Sequence, residues 1–192
     1  MKKFLLMFAI AMLLAGCAQT KVKDEWKDPG YSGGKVRSVI VLALPPDLEG
    51  KQAMDEFASQ LAERGISAVP GYQTTAASAA SKEEFMVKAR ELGYQMVLIS
   101  RFLDKRSELG IYQRGSSSML LMPDLYMWPS YEYVENEFMV FGTALYDAAS
   151  GKAVWSAVSD TFVKGSDKKN LKSYVKTMLK KMERQGLVGS GK

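Results

Sequence analysis

The stretch VRSVIVLAL, residues 36–44, decides the fold, because it predicts a strand buried in the middle of a sheet. Its β-branched residues form one continuous apolar run, and Pro45-Pro46 ends it. The next apolar residues follow the i, i+3, i+4, i+7 spacing of a helix, which Gly65 closes: Met54, Phe57, Ala58 and Leu61. A buried strand is therefore followed directly by a helix.

The same alternation continues along the chain. Ile66–Val69 predicts a short second strand. Ser81 and Glu84 have the spacing of a capping box and begin a second helix, which runs to about Leu92. Met96–Leu103 predicts a third strand. A β-α-β-α-β order with short links favours parallel strands joined by right-handed crossovers.

The second half predicts an antiparallel hairpin and a final helix. Glu137–Tyr146 and Ala153–Val163 are the two strands, joined by a turn at 147–152. The helix covers about 168–185, with this buried stripe: Leu171, Tyr174, Val175, Met178, Leu179 and Met182. The predicted fold class is α/β, one domain over 36–186 with a mixed sheet and helices packed on it. Residues 187–192 are predicted to be a flexible tail.

The amino terminus has the layout of a bacterial secretory signal. Met1-Lys2-Lys3 precedes an apolar run, Phe4–Leu14, that is shorter than the roughly 20 residues a membrane helix needs. The signal is predicted to cover 1–16. The residues that follow the run resemble the lipobox of bacterial lipoproteins: Leu14, Ala15, Gly16 and Cys17. The alternative is an ordinary secretory signal with an incidental cysteine.

The resemblance to the lipobox implies that Cys17 carries a covalent lipid and becomes the first residue of the mature protein. No aspartate follows it, since position 18 is Ala18. By resemblance, this implies the periplasmic face of the outer membrane in a diderm bacterium. Residues 17–35 are polar and rich in glycine, and we expect them to form a lipidated tether.

The composition excludes several kinds of chemistry. The chain has no histidine, and Cys17 is its one cysteine. Histidine-based catalysis and zinc sites built on histidine or cysteine therefore lack their usual residues. The net charge of +5 falls by two when Lys2 and Lys3 leave with the signal, which is too little for a nucleic-acid-binding domain. We expect no catalytic residue, no metal, and no cofactor beyond the lipid.

Two segments resemble a group of uncharacterised bacterial lipoproteins. The first is WKDPGYSGG at 26–34, which precedes the apolar strand. The second is LYDAASGKAVWS at 145–156, which covers the predicted turn. The order of elements is similar to the amino-terminal domain of TolB and to the curli secretion lipoprotein CsgG. These relatives are periplasmic parts of envelope machines, and the resemblance brings no catalytic residue.

The segment SSSMLLMPDLYMWPSYEYV, residues 116–134, lies within a predicted loop at 105–135 and is unusually apolar. Long loops in compact domains are usually functional or disordered, and methionine and aromatic residues are favoured in interface cores. It either packs on the domain's own sheet or binds a protein, another copy or the membrane surface. Pro123 and Pro129 argue against a membrane-spanning hairpin. The candidate contact residues are Met119, Leu120, Leu121, Met122, Leu125, Tyr126, Met127, Trp128, Tyr131 and Tyr133.

A basic stripe runs along the last helix opposite its apolar face. Its members recur every four residues: Lys168, Lys172, Lys176, Lys180 and Arg184. Such a stripe is either a solvated helix face or a surface for anionic lipid, peptidoglycan or an acidic partner.

The sequence therefore favours a membrane-anchored lipoprotein with a non-catalytic role in binding, assembly or support of an envelope complex. One alternative is a homo-oligomeric ring component of secretion type. Another is a cell-wall hydrolase that works with carboxylates, since Asp and Glu alone can do general acid–base chemistry. A pair of carboxylates facing each other in a cleft would favour the hydrolase.

Overall fold

The computed structural model describes residues 20–79, 81–114, 130–164 and 166–189, with the backbone alone at 111–114 and 130–133. The predicted signal, the lipobox and Cys17 lie outside the described residues. The strands are β1 Thr20–Lys27, β2 Ser38–Leu44, β3 Ser67–Pro70, β4 Met96–Arg114, β5 Ser130–Asp147 and β6 Ala153–Phe162. The helices are α1 Leu48–Ala62, α2 Lys82–Glu91 and α3 Asp167–Arg184, with 3₁₀ turns at Gly71–Gln73 and Thr75–Ser78.

The strands form a six-stranded mixed sheet in the order β1-β6-β5-β4-β2-β3. β2 pairs in parallel with β3 and β4, and the other pairs are antiparallel. Ser81 caps α2 through its side-chain oxygen, as its capping-box spacing predicts, and Asp47, which was not predicted as a cap, caps α1 in the same way. The predicted α/β fold class is confirmed, with the crossovers, the hairpin and the last helix in the expected order.

The first face of the sheet carries α1 and α3 and holds the larger core. Successive residues of a strand point to opposite faces, so every second residue of β2, β4 and β6 lies under these helices. Phe57 of α1 meets Tyr174 of α3 edge to face, with ring centroids 5.6 Å apart. The large side chains that are fully buried include Trp155, Tyr174, Phe57, Met54, Leu98, Leu145 and Met178.

The second face carries α2 and the 3₁₀ turns, which cover only part of it. A smaller cluster lies here: Ile40, Ala76, Phe85, Met86, Ala89, Val97 and Ala148. All of its strand residues come from the lower part of the sheet, where β4 begins and β5 ends. No helix in the described part of the chain is long and apolar enough to cross a membrane.

Much of the predicted tether belongs to the sheet instead. Thr20–Lys27 forms β1, which pairs antiparallel with β6 at the sheet edge. The strand was not predicted because its sequence, TKVKDEWK, is mostly charged and has little hydrophobic alternation. An edge strand tolerates such residues because one side of it faces water.

The predicted tail is also partly core. Leu187 and Val188 are 1% and 3% exposed, and the backbone N–H of Val36 donates to the carbonyl of Leu187. The last residues thereby hold the chain just before β2.

The predicted loop at 105–135 is wrong over its flanks. β4 continues to Arg114 and β5 begins at Ser130, so the two strands form one long antiparallel arm. Residues 115–129 lie outside the described residues. Cross-strand backbone hydrogen bonds can extend a ribbon through polar sequence, so a hydrophobic pattern does not reveal its length.

Candidate functional site

The uncovered part of the second sheet face forms a large concave surface. It is a groove of about 910 Å³ that lies beside α2 and the 3₁₀ turns. Two rows of paired residues cross its floor. The first row is Trp26, Ser156, Ala144, Ile99 and Leu42, and the second is Asp24, Val158, Gly142, Arg101 and Leu44.

The floor of the groove is low because its central residues are small. Gly142, Ala144 and Ser156 occupy the middle strands, and a Cβ added at Gly142 would stand 3.3 Å from a methyl group of Leu103. The rim is higher. Trp26 is 47% exposed at one edge, and Lys82 Nζ stands 3.9 Å from the ring centroid of Tyr146 at the other. An apolar floor with aromatic and basic side chains at its rim suits a binding surface.

The arm of β4 and β5 is the second unusual feature. β6 pairs with β5 only as far as Phe138↔Phe162. Beyond that level, the pairs from Ser107↔Glu137 to Arg114↔Ser130 form a ribbon of two strands alone. A two-stranded ribbon is marginally stable in water unless something packs on it.

The described side chains of the arm are charged or exposed. Lys105 Nζ lies 2.8 Å from Glu137, and Arg106 lies 3.1 Å from Glu108. The hydrogen bond to Glu137 and the attraction of that carboxylate raise the pKa of Lys105. Leu109 is 78% exposed. Exposed ion pairs contribute little stability, so they do not explain so long an arm.

Two acidic side chains are well buried, but they lie on opposite faces of the sheet. On the second face, the carboxylate of Asp160 is 5% exposed, 3.1 Å from Lys23 Nζ, and paired with Arg106. On the first face, Glu25 accepts hydrogen bonds from Lys181, Trp155 and Gln185. Burial acts to raise the pKa of Glu25, but these hydrogen bonds outweigh it and the pKa is lowered. Each carboxylate is paired with cationic neighbours and ties β1 to the rest of the fold.

A second cleft, of about 500 Å³, lies on the first face between the amino-terminal ends of α1 and α3. Phe102, Phe141 and Leu171 line it together with the exposed acids Asp47, Glu49 and Asp167. Asp47 already accepts the backbone N–H of Gly50 at 2.8 Å, which gives it a capping role. The three acids thus lie at the amino-terminal ends of the two helices that border the cleft.

Tyr174 forms a buried polar group between the helix α3 and the sheet. Its hydroxyl lies 2.7 Å from Ser100 Oγ and also contacts the hydroxyl of Thr143. Burial raises the pKa of Tyr174 to about 12, although both hydrogen bonds act to lower it. The tyrosine therefore stays neutral and joins α3 to β4 and β5.

The described residues hold no group of three or more Asp, Glu, His or Cys side chains that could bind a metal ion. No pair of buried carboxylates faces a shared cleft in the described ranges, because Asp160 and Glu25 are separated by the sheet. The expectations of no metal, no cofactor and no catalytic residue stay predictions.

The predicted site residues have mixed outcomes. The basic stripe lies on the solvent side of α3, and all five of its side chains are exposed: Lys168, Lys172, Lys176, Lys180 and Arg184. Tyr131 and Tyr133 lie in β5 within the arm. The remaining candidate contact residues, 119–128, lie outside the described residues. Their proposed contact role stays a prediction.

Sequence reasoning missed the groove altogether. A signal was available, because Gly142 and Ala144 alternate with larger residues along one strand, and Ser156 follows Trp155 on the neighbouring strand. Small residues on one face of a strand pair are consistent with a surface that something else approaches closely. The pattern does not reveal by itself which face the helices leave open.

No family model matches the chain, and none of the curated proteins matches it. Among solved structures, the chain is similar to two PelC dodecamers from Paraburkholderia phytofirmans, at 18% and 16% identity and a TM-score of 0.48. Each alignment covers 83% of this chain and 95% of PelC. The lipoprotein GNA1162 from Neisseria meningitidis aligns over 77% of this chain and 99% of its own, at 16% identity and a TM-score of 0.43. At these values no residue, partner or assembly is transferred to this chain.

Proposed function

We propose that the protein is an outer-membrane lipoprotein, anchored through Cys17 and facing the periplasm, whose domain binds another protein of the cell envelope and has no catalytic role. The anchor rests on the lipobox residues Leu14, Ala15 and Gly16 and on the single cysteine after them. The binding role rests on the surfaces that the fold leaves uncovered. The covalent lipid is its only cofactor.

The observation that carries the proposal is the two-stranded arm. Beyond Phe138 it has no third strand or described helix on either side. Leu109 and Val134 are 78% and 38% exposed, and they belong to adjacent strand pairs. A ribbon of this length with apolar side chains in water is expected to be stabilised by a partner.

The groove supports the same conclusion. Its floor joins the root of the arm through Leu103, which is 48% exposed beside Gly142. A partner that packs along the side of the arm that carries Val134 would reach the groove without a break, because Arg106, Glu108 and Val134 alternate onto the groove side of the sheet. This continuity favours one binding surface over two separate ones.

A carboxylate-dependent hydrolase finds less support. Such an enzyme needs two carboxylates that flank one bond, with one of them holding a proton. Glu25 and Asp160, whose side chains are 17% and 5% exposed, are both ion-paired and lie on opposite sheet faces.

Site-specific photo-crosslinking in cells tests the proposal. A photoreactive residue at Leu109, on the arm, is compared with one at Val87, an exposed apolar position on α2. We expect one discrete adduct from Leu109 and none from Val87. Equal labelling from both positions, or no adduct from Leu109, would refute the binding role.

The mass of the adduct also separates the two kinds of partner. An adduct with twice the mass of the chain would assign the arm to a homo-oligomer, the ring-type alternative. An adduct of another mass would assign it to a different envelope protein. Light scattering of the purified protein at several concentrations gives an independent measure of self-association.

A further inference from the structure

The distance along the chain between the lipid anchor and the sheet is very short. Only Ala18 and Gln19 separate Cys17 from Thr20, the first residue of β1. An extended residue spans at most about 3.6 Å, so the Cα atoms of Cys17 and Thr20 are within about 11 Å of each other. One headgroup layer of a bilayer is roughly 5–8 Å thick. Once Cys17 is acylated, the start of β1 must therefore lie at or in the headgroups.

The surroundings of Thr20 are fixed by hydrogen bonds. Its hydroxyl lies 3.0 Å from the hydroxyl of Thr161 and donates to Ser173 Oγ at 3.4 Å. The first half of α3 is therefore the neighbour of the anchored end of β1. Whatever brings Thr20 to the headgroups brings this part of the helix with it.

This neighbourhood is strongly basic. The turns of α3 around Ser173 carry exposed lysines, and another exposed lysine follows Thr20. Together they form what we term the anchor corner: Lys21, Lys168, Lys169, Lys172 and Lys176. None of these lysines forms an ion pair within the described part of the chain.

We infer that the anchor corner docks on the bilayer surface and that anionic phospholipid headgroups are its ligand. The inference rests on the proposed anchor at Cys17 and extends it from a point attachment to a defined orientation. Clustered lysines beside a membrane attachment point are attracted by anionic lipid, and the attraction decays within a Debye length of about 8 Å. The covalent lipid attaches the protein to the membrane. The anchor corner sets the orientation of the domain on the bilayer surface.

The acidic groups around the corner do not cancel its charge. Asp160, the nearest buried acid on β6, already pairs with Lys23 and Arg106. Asp167 is exposed in the first turn of α3, where the helix dipole favours a negative charge. The exposed acids of the cleft between α1 and α3 are Asp47, Glu49 and Asp167, and the five lysines of the corner outnumber them.

The orientation divides the basic stripe into two functional halves. β1 runs from Thr20 to Lys27, so its far end lies about 23 Å from its start. Lys27 Nζ donates to the carbonyl of Gln185 at 2.8 Å, which places the carboxyl-terminal end of α3 there. Arg184 therefore lies well beyond a Debye length from the anchored start of β1. It is a matched control, since it is exposed, cationic and on the same helix as Lys172.

Fluorescence quenching in vesicles tests this orientation with the full-length lipidated protein. Because Cys17 is the only native cysteine and its sulfur is a thioether in the proposed lipidated form, an introduced thiol is the single labelling site. Lys172→Cys and Arg184→Cys carry the same fluorophore, and the vesicles contain phosphatidylethanolamine, phosphatidylglycerol and a lipid with a headgroup quencher. We expect at least threefold stronger quenching at position 172. Replacing phosphatidylglycerol by phosphatidylcholine should remove most of that difference.

Each other outcome overturns the inference in a recognisable way. Equal quenching at 172 and 184, in protein that stays on the vesicles, would refute the orientation while leaving the anchor intact. A difference that persists fully in phosphatidylcholine would refute the anionic ligand and leave the lysines to an acidic partner protein. Full-length Cys17→Ser tests the anchor separately, since its retention in the membrane fraction would refute the proposed function itself.

A charge variant checks the ligand without moving the label. Lys169→Gln, Lys172→Gln and Lys176→Gln are combined in protein labelled at Lys21→Cys. We expect quenching at position 21 to fall by about half or more in anionic vesicles. The matched variant, Lys180→Gln with Arg184→Gln, should leave it unchanged, and an equal fall in both variants would overturn the assignment to the anchor corner.

Discussion

The two faces of the same sheet differ in how completely they are covered. On the first face, α1 and α3 bury Trp155, Leu145 and Tyr174 to 2% exposure or less. On the second face, α2 covers only the lower strands, and Arg101, Leu103 and the groove stay open. The hydrophobic effect scales with the apolar area removed from water, so most of the folding free energy comes from the first face.

Because of this difference, the first face mainly provides stability, and the open second face is available for binding. Residues on the first face are constrained by packing, and almost any change there is expected to unfold the protein. Residues of the open part of the second face and of the arm are free to change with little loss of stability. A surface that folding does not need, and that is still apolar, is available to a partner.

The largest expected effect compares two leucines on opposite faces. Leu145→Ala removes a side chain that is 2% exposed and leaves a cavity, which should lower the free energy of unfolding by about 2–5 kcal/mol. Leu103→Ala removes a side chain that is 48% exposed and should cost less than about 1 kcal/mol. Urea unfolding of both variants measures the difference. Equal losses would mean that the second face is core as well.

The next effect concerns the attachment of β1 to the first face. Glu25→Gln breaks the charge-assisted contact with Lys181 and should lower the free energy of unfolding by about 1.5–3 kcal/mol. Glu63→Gln, at an exposed position, is the control. A loss as small as that of the control would show that the ion pair does not hold β1.

The lowered pKa of Glu25 gives this contact a defined pH dependence. The unfolded chain takes up the proton at a higher pH than the folded chain does. The stability that Glu25 contributes is thus present above its ordinary pKa of 4.5 and is lost as the pH falls through the lower folded value. Chemical denaturation from pH 6 to pH 3 should show a smaller loss for Glu25→Gln than for the unaltered protein.

Tyr174→Phe should have a smaller effect, because the ring stays in place. Loss of the hydroxyl leaves Ser100 and Thr143 without this partner and should cost about 1–2 kcal/mol. The raised pKa of Tyr174 also makes its contribution to stability depend on pH in the alkaline range. The tyrosine is neutral in the folded protein up to about pH 12, whereas in the unfolded chain it ionises near 10, so its contribution to stability falls between these values. Thermal unfolding between pH 9 and pH 11 should decline less steeply in the variant.

The smallest effect on stability is expected in the groove. Ala144→Leu places a larger side chain on the open floor and should change the free energy of unfolding by no more than about 0.5 kcal/mol. It should nevertheless weaken a photo-crosslink introduced at Val134, which lies on the groove side of the arm, if the groove and the arm form one surface. An unchanged crosslink yield would separate the two surfaces, and a large loss of stability would show that the floor is already filled.

The sequence determined the strands and helices that are strongly apolar. VRSVIVLAL and the stripes of α1 and α3 have periods that only one kind of element satisfies, so their type and order follow from the residues. The turn at 147–152 also follows, and Gly151 has φ 68° there. The resemblance to a lipobox is equally local, because it rests on the four neighbouring residues Leu14, Ala15, Gly16 and Cys17.

Only the tertiary structure decided the ends of the elements and the open surfaces. β1 is charged and becomes a strand because β6 offers it an unpaired edge, and the arm exists because two polar segments pair with each other. Leu187 and Val188 are buried because the chain returns to the start of β2. The groove depends on where α2 ends relative to the sheet. Strand pairing and the covering of a sheet face by helices depend on residues far apart in the chain. A local sequence pattern therefore does not predict them.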